Sequence, residues 1–168
     1  MEKIDVYNCN REKTGKIFTR YVDEHIEEDE YIISVTCWIV NKDGEILLTQ
    51  RRLDKSHGGM WEPTTGTVIS GENSLEGMQR ELREEIGLNV DKTELKLIET
   101  FIDKKPNLNF FRDIYILRKD ISLSELKFVD GEVIDAQYVT AQQFENMINK
   151  GEVKKKLEYF IDLVYNLD

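Results

Sequence analysis

The segment at residues 66–88, GTVISGENSLEGMQRELREEIGL, constrains the fold of this chain more than any other stretch. Its apolar residues recur at helical spacing and define one core-facing stripe, formed by Leu75, Met78, Leu82 and Ile86. Asn73 precedes this pattern and Glu76 follows three residues later, which predicts a capping box at the start of the helix. The segment therefore predicts a short helix that packs one face against a core.

Negative charge clusters beside that stripe, at Glu81, Glu84 and Glu85. The i, i+3, i+4 spacing makes these side chains neighbours on the helix surface, where each like-charge contact costs about 0.2–0.5 kcal/mol. A hard divalent cation such as Mg2+ removes this repulsion, because it takes carboxylate oxygens as ligands. The cluster therefore indicates a metal site, with a solvated acidic helix face as the alternative.

The spacing of the glycines, glutamates and arginine in this segment resembles the Nudix box: Gly66, five residues, Glu72, seven residues, Arg80-Glu81-Leu82, one residue, Glu84-Glu85, one residue, Gly87-Leu88. All nine specified positions are filled. The resemblance implies that Glu81, Glu84 and Glu85 ligate Mg2+ or Mn2+. It also implies that Glu72 pairs with Arg80 and so holds the preceding loop against the helix.

The sequence around the box predicts strands and helices in an α/β order. Residues 31–40, YIISVTCWIV, and 45–52, EILLTQRR, are typical of a hairpin of core strands joined through NKDG. Residues 2–20 predict two strands and a polar turn that ends at Gly15. Further strands are predicted at 94–103, 109–118 and 132–139, and helices from Thr140 to Gly151 and over 153–167. The resemblance implies the Nudix α/β/α sandwich with a mixed β-sheet, as a single domain over residues 1–168 with an N-terminal extension at 1–30.

The formal net charge of −10 disfavours a nucleic-acid polymer as partner, because a phosphate backbone requires a positive surface. A small phosphorylated substrate remains compatible, since a local cation reverses the field within one site. The sequence contains no apparent membrane span or signal peptide, so we expect no membrane partner. Cys9 and Cys37 are the only cysteines and neither has a CxxC partner, so we expect a cytoplasmic protein without disulfides.

A basic loop follows the predicted hairpin, with Arg51, Arg52 and Lys55 shortly before two glycines. In an acidic chain this pattern indicates a clamp for the substrate phosphates, with a solvated surface loop as the alternative. Strand alternation puts Arg51 and Arg52 on opposite faces, so only one of them reaches a diphosphate. Arg52 is favoured, because it lies closer to the glycines.

The Nudix resemblance implies hydrolysis of a diphosphate that joins a nucleoside to a group X, with nucleoside triphosphates and nucleotide sugars both open. In-line attack by water requires a general base, and the candidates are Glu81 or Glu85 on the helix and Glu132 in a later loop. Gly66 is a further candidate metal ligand, because without a side chain its backbone carbonyl can approach a cation closely.

Two other functions remain open. The segments DVYNCNREKTGKIFTR and CWIVNKDGEILLTQRR resemble the Nudix subgroup nearest the isopentenyl-diphosphate isomerases. The isomerase needs a catalytic cysteine in the stretch that follows the tryptophan, and it needs histidine ligands for its metal. In this chain that stretch reads WEPTTGTV, without cysteine or histidine, and the box is intact. The second alternative is a non-catalytic module that binds a nucleotide, which the complete glutamate set disfavours. We also expect a homodimer through the last helix and the N-terminal extension, unless both simply close the monomer core.

Overall fold

The computed structural model describes residues 1–23, 25–129 and 131–165, and the side chains of residues 164 and 165 lie outside this description. The strands are β1 (Lys3–Tyr7), β2 (Lys13–Thr19), β3 (Ile32–Val40), β4 (Ile46–Arg51), β5 (Trp61–Glu62), β6 (Thr64–Thr67), β7 (Leu95–Asp103), β8 (Phe110–Arg118) and β9 (Val133–Val139). The helices are α1 (Ser74–Ile86), α2 (Ala141–Lys150) and α3 (Tyr159–Tyr165), with short 3-10 turns at Leu123–Glu125 and Lys155–Leu157. These elements form an α/β fold with a mixed sheet, which confirms the predicted fold class.

Within the described residues, seven strands form one sheet in the order β5-β4-β3-β8-β7, with β6 paired to β3 and β9 paired to β4. Strand β3 is buried along its whole length, as its β-branched and aromatic sequence requires. It pairs antiparallel with β4 and brings Ile39 opposite Leu47. Gly44, at the tip between them, has a φ of 77°, which a glycine adopts without strain. The predicted hairpin of core strands is therefore confirmed.

Strands β1 and β2 pair antiparallel in a separate two-stranded sheet, called the N-terminal hairpin below. Its turn ends before Lys13, so the prediction of a turn ending at Gly15 was wrong. The reason is local: the side chain of Asn8 accepts hydrogen bonds from the backbone of Asn10 and of Glu12, at 3.0 Å each, and closes the turn early. Apolar side chains seat the hairpin in one buried cluster, formed by Ile4, Val6, Phe18 and Ile32.

Two compact units share the chain in an interleaved way. The first comprises Met1–Cys37, Thr65–Leu82 and Asn89–Ile116, and the second comprises Trp38–Thr64, Arg83–Leu88 and Leu117–Asp168. In the second unit, Trp38 stacks on Phe160, with ring centroids 3.5 Å apart, and meets Phe144 edge-on. The single domain over 1–168 stays a prediction.

The C-terminal segment differs from the single helix predicted over 153–167. A 3-10 turn at Lys155–Leu157 precedes α3, and the last two predicted residues, 166 and 167, lie outside the described part of the chain. Val153 forms a parallel bridge with Trp61, which requires an extended backbone. Lys154 is also extended, with a φ of −65° and a ψ of 128°, so the helix cannot begin until this bridge has ended. No helix in the described residues is long and apolar enough to cross a membrane.

The two cysteines differ in exposure, and this difference predicts their reactivity. Cys9 is exposed, whereas Cys37 is fully buried on β3, and burial raises the pKa of the Cys37 thiol. At mildly alkaline pH we expect a thiol-reactive chromophore to label one cysteine in the native protein and both in guanidinium chloride. Cys9→Ser should leave the native protein unlabelled. Labelling of both thiols in the native state would show that the β3 core opens.

Candidate active site

A capping box marks the start of helix α1, and a glycine in the left-handed region follows its end. Asn73 Oδ1 accepts from the Glu76 backbone N–H at 3.0 Å, and Glu76 Oε2 accepts from the Asn73 N–H at 2.8 Å, so the predicted capping box is formed. At the other end Gly87 has a φ of 70°, and a Cβ there would lie 2.8 Å from the Lys127 Cβ. Met78, Leu82 and Ile86 are fully buried. These constraints fix the register of the glutamates along the helix.

The guanidinium of Arg80 connects this helix to the loop before it. Nε donates to Glu72 at 2.9 Å, and Nη2 donates to the carbonyl of Thr67 at 2.8 Å. The ion pair between Glu72 and Arg80 that the resemblance implied is therefore present. Nη1 donates to Glu81 Oε1 at 2.8 Å, a contact that the sequence did not predict. With its side chain only 11% exposed, Arg80 holds the loop and one glutamate of the acidic cluster in one network.

Gly66 lies directly against Glu81. It sits within β6, and a Cβ built on Gly66 would come within 1.9 Å of the carboxyl carbon of Glu81 and 2.0 Å of Oε1. Its φ lies outside the left-handed region, so space and not backbone conformation requires glycine here. The structure thus brings together two of the residues that were predicted to hold a metal.

The other two predicted ligands, Glu84 and Glu85, follow on the next turn of α1, where Glu85 is 6% exposed. Among the described residues, no three His, Cys, Asp or Glu side chains converge in the geometry of a metal site. The donors nevertheless fit a hard divalent cation, because the three glutamates and the Gly66 carbonyl offer only oxygen. A buried carboxylate such as Glu85 also gains from a compensating positive charge.

Arg51, at the end of β4, is held by two hydrogen bonds. Nη1 donates to Glu62 Oε1 at 2.8 Å and Nε donates to the Ser56 carbonyl at 3.1 Å. Burial alone would lower the pKa of Arg51, but the hydrogen bond to Glu62 and the charges of Glu62, Glu132 and Glu85 raise it. Arg51 is therefore a fixed cation in the field of a predicted metal ligand.

The other two cations of the basic loop are paired at its surface. Arg52 donates to both carboxylate oxygens of Asp54, at 2.6 and 2.8 Å, and Nη1 reaches the Gly131 carbonyl at 3.3 Å. Lys55 Nζ lies 2.7 Å from Glu132 Oε1. The predicted base Glu132 and the predicted phosphate contact Lys55 thus form one half-exposed ion pair.

Comparisons with known proteins identify the family of this chain. The model of the NUDIX domain matches residues 30–162. A Nudix hydrolase of Listeria monocytogenes is 30% identical over 169 residues, which cover 99% of this chain and 95% of the relative.

The chain belongs to the Nudix family.

One further relative and one solved structure extend these comparisons. Nudix hydrolase 3 of Arabidopsis thaliana is 31% identical over 160 residues, which cover 89% of this chain and 20% of that protein. The crystal structure of DR0079 from Deinococcus radiodurans superposes with a TM-score of 0.78 over 98% of this chain and 100% of that chain. Its sequence identity is 24%, so this likeness concerns the fold.

Membership makes this chain a Nudix pyrophosphohydrolase, an enzyme that hydrolyses pyrophosphate bonds. Nudix hydrolases generally use divalent metal cations. The narrower likeness to the isopentenyl-diphosphate isomerases stays a prediction.

The sequence did not predict the roles of Glu62 and Lys154 in this Nudix hydrolase. Glu62 is 8% exposed at its side chain and lies between two cations, because Lys154 Nζ contacts its second oxygen at 3.3 Å while Arg51 holds the first. Glu62 and Lys154 are 92 residues apart, so no spacing pattern could have paired them. One feature of the sequence could have indicated a buried ion pair: Glu62 directly follows Trp61 in a short strand. A carboxylate that is buried there requires a cation as its partner.

Proposed function

We propose that this Nudix hydrolase cleaves the diphosphate linkage of a nucleoside diphosphate joined to a group X, of the nucleoside triphosphate or nucleotide sugar type. The observation that carries the proposal is the network in which Arg80 binds Glu72, the Thr67 carbonyl and Glu81, with Glu81 packed against Gly66. This network fixes Glu81, a candidate metal ligand, against the strand and the loop that precede the helix.

Relatives support a nucleotide substrate. CTP pyrophosphohydrolase of Escherichia coli is 40% identical over 57 residues, which cover 34% of this chain. The 8-oxo-dGTP diphosphatase of Proteus vulgaris is 35% identical over 77 residues, which cover 44% of this chain. Both names describe enzymes that act on nucleoside triphosphates. The NUDIX domain of Shewanella oneidensis NrtR, a fold relative with a TM-score of 0.57, was crystallised with ADP-ribose.

The metal proposed for this site is Mg2+ or Mn2+, held by Glu81, Glu84 and Glu85 of α1 and by the Gly66 carbonyl. Such a cation supplies Lewis-acid stabilisation of the charge that develops on the phosphoryl oxygens. The chain's own part is to hold these oxygen donors, which Arg80 does for Glu81 through the 2.8 Å hydrogen bond.

The proton of the attacking water goes to a carboxylate of α1, Glu81 or Glu85 in this proposal. Glu132 is the alternative base, and its carboxylate is paired with Lys55 at 2.7 Å, as that of Glu81 is with Arg80 at 2.8 Å.

Arg51 is the proposed diphosphate contact, in preference to Arg52. Arg51 is 19% exposed, fixed by Glu62 and influenced by the charge of Glu85, whereas Arg52 is 50% exposed and bound to its neighbour Asp54. A fixed guanidinium loses less conformational entropy when it binds a phosphate.

Arg51→Ala is expected to raise KM by roughly tenfold, the value of one charge-assisted hydrogen bond, with a smaller effect on kcat. Lys154 still pairs with Glu62 in this variant, so the buried carboxylate keeps a partner. Arg52→Ala is the matched control and should leave both constants near wild type. Steady-state kinetics on both variants decide the matter: a larger KM effect at Arg52 would return the contact to Arg52, which its place closer to the glycines favoured.

The proposed function is tested by incubating the purified protein with Mg2+ and a panel of nucleoside triphosphates, nucleotide sugars and isopentenyl diphosphate. We expect a nucleoside monophosphate and a phosphorylated X from at least one nucleotide, separated by ion-exchange chromatography. Isomerised isopentenyl diphosphate without cleavage would favour the isomerase alternative. Nucleotide binding without any cleavage would favour the non-catalytic module.

Cellular location and oligomeric state complete the proposal. Both cysteines are free thiols, in keeping with a cytoplasmic enzyme. Homodimerisation through the last helix and the N-terminal extension stays a prediction. Apolar residues of both segments, including Phe18, Leu157 and Phe160, are buried within one chain. Light scattering distinguishes a particle of 19.8 kDa from one of twice that mass.

A further inference from the structure

The loop at residues 68–73, called the box loop below, connects β6 to α1 and carries Glu72. Arg80 is bound at both ends of this loop, through the Thr67 carbonyl before it and through Glu72 within it. Since the same guanidinium donates to Glu81, a shift of the box loop would move a partner of Arg80 and release Glu81. The position of the loop is therefore coupled to the acidic cluster.

The N-terminal hairpin binds the middle of the box loop from outside. Asp5 Oδ1 accepts from the Ser70 hydroxyl at 2.7 Å, and Oδ2 accepts from the Gly71 backbone N–H at 3.2 Å. The carbonyl of Lys3 accepts from the Ser70 N–H at 2.7 Å. These contacts come from a segment that precedes residues 30–162, the part matched by the family.

Asp5 is itself fixed. Lys13 Nζ, from the opposite strand of the hairpin, lies 2.6 Å from Oδ2, and the Asp5 side chain is only 13% exposed. Burial alone would raise the pKa of Asp5, but hydrogen bonds from Lys13, Ser70 and Gly71 hold it below its ordinary value. The carboxylate is therefore ionised at neutral pH and accepts hydrogen bonds with both oxygens.

The hairpin does not depend on Asp5 for its own attachment. Arg11 donates to both oxygens of the fully buried Asp113, which also accepts from Ser74, the first residue of α1. Arg20 donates to the Thr67 hydroxyl. With the apolar cluster already described, these contacts keep the hairpin in place when Asp5 is changed.

We propose that the N-terminal hairpin is a clamp on the box loop and that Asp5 is a positioning residue for the Glu72–Arg80–Glu81 network. The inference rests on the proposed function, because the network matters only if Glu81 serves the metal-dependent reaction. Asp5 contacts Ser70 and Gly71 of the box loop and acts on the network through them.

The test compares wild type with Asp5→Ala, Asp5→Asn and Glu12→Ala in the full chain. Glu12 lies in the turn of the same hairpin and its carboxylate accepts from Asn8 at 2.9 Å, which makes it a matched acidic control. For Asp5→Ala we expect roughly a tenfold loss of kcat and of Mn2+ affinity, as for residues that orient metal ligands, with KM unchanged. Asp5→Asn keeps an acceptor oxygen and should recover part of the loss, and Glu12→Ala should behave as wild type.

Hydrogen–deuterium exchange provides a readout that needs no turnover. In Asp5→Ala, peptides covering the box loop should exchange faster, while those covering α2 should be unchanged. Mn2+ affinity, followed by the electron paramagnetic resonance signal of the free ion, tests the clamp even if wild type cleaves none of the nucleotides, an outcome that would defeat the proposed function alone.

The proposal is overturned if Asp5→Ala has the kcat and Mn2+ affinity of wild type, whether or not loop exchange accelerates. It is also overturned if all losses scale with a lower melting temperature, since the role of Asp5 is then only structural. Should Asp5→Ala fail to fold, Ser70→Ala removes the hydroxyl contact from the loop side and must lower kcat and Mn2+ affinity in the same direction.

Discussion

Glu81→Gln and Glu85→Gln should each lower kcat by at least ~10²-fold, because an amide neither ligates a hard cation well nor accepts the proton of the attacking water. The two changes act in different surroundings. Glu81 contacts Gly66 and Arg80, whereas Glu85 is almost fully buried and adds to the field at Arg51. Both substitutions keep the volume of the side chain, so circular dichroism and thermal melting should report a folded protein.

Glu145→Gln is the matched control for these two variants. Glu145 is an exposed glutamate of α2 whose side chain accepts from Gln142, so the change removes one charge at a helix surface. It should leave kcat and KM near wild type. If both α1 variants also retain wild-type turnover, the acidic helix is only a solvated surface, which was the alternative at the outset.

Gly66→Ala should lower kcat by a comparable factor, although it adds only a methyl group. That group would meet the Glu81 carboxyl at 1.9–2.3 Å, so either Glu81 or β6 has to move. Overpacking of this kind costs about 1–3 kcal/mol of unfolding free energy. The displaced Glu81 also loses its place beside Arg80, and we therefore expect weaker Mn2+ binding together with the loss of turnover.

Gly77→Ala separates this effect from a general intolerance of the box to added methyl groups. A Cβ on Gly77 would lie 3.0 Å from Cγ2 of the buried Val68 and 3.4 Å from both the Val68 Cα and a Glu72 oxygen, far less severe than the 1.9 Å approach to Glu81 at position 66. Alanine also favours a helix over glycine by about 1 kcal/mol. We expect activity near wild type and a similar melting temperature. Equal losses at positions 66 and 77 would refute the specific collision with Glu81.

Local patterns in the sequence predicted the elements whose cause is local. The capping box at Asn73 and Glu76, the hairpin turn at Gly44 and the left-handed end of α2 at Gly151 depend on residues a few positions apart. Such features follow from backbone geometry, which a single sequence carries. The Glu72–Arg80 pair had a different source, because the resemblance to the Nudix box implied it.

Contacts between segments that are far apart in the sequence could not be predicted from local patterns. The pairing of Glu62 with Lys154 and the approach of Asp5 to the box loop depend on how the strands assemble. Strand position left Arg51 and Arg52 equivalent, because both faces of β4 carry apolar residues. Only the partners differ: the buried Glu62 for Arg51 and the adjacent Asp54 for Arg52.

The break before α3 has the same origin. Periodicity favoured one helix, but the bridge between Val153 and Trp61 holds the chain extended at the point where that helix would begin. A tertiary contact of this kind overrides helix propensity, which contributes only tenths of a kcal/mol per residue.

Metal dependence of nucleotide cleavage tests the central claim most directly. Release of nucleoside monophosphate from the best substrate of the panel is measured against Mg2+ concentration, and then in excess EDTA with and without restored Mg2+. A saturable rise with Mg2+, complete loss in EDTA and full recovery on adding the metal back are the predicted results. Undiminished turnover in excess EDTA would contradict the assignment of Glu81, Glu84 and Glu85 as metal ligands.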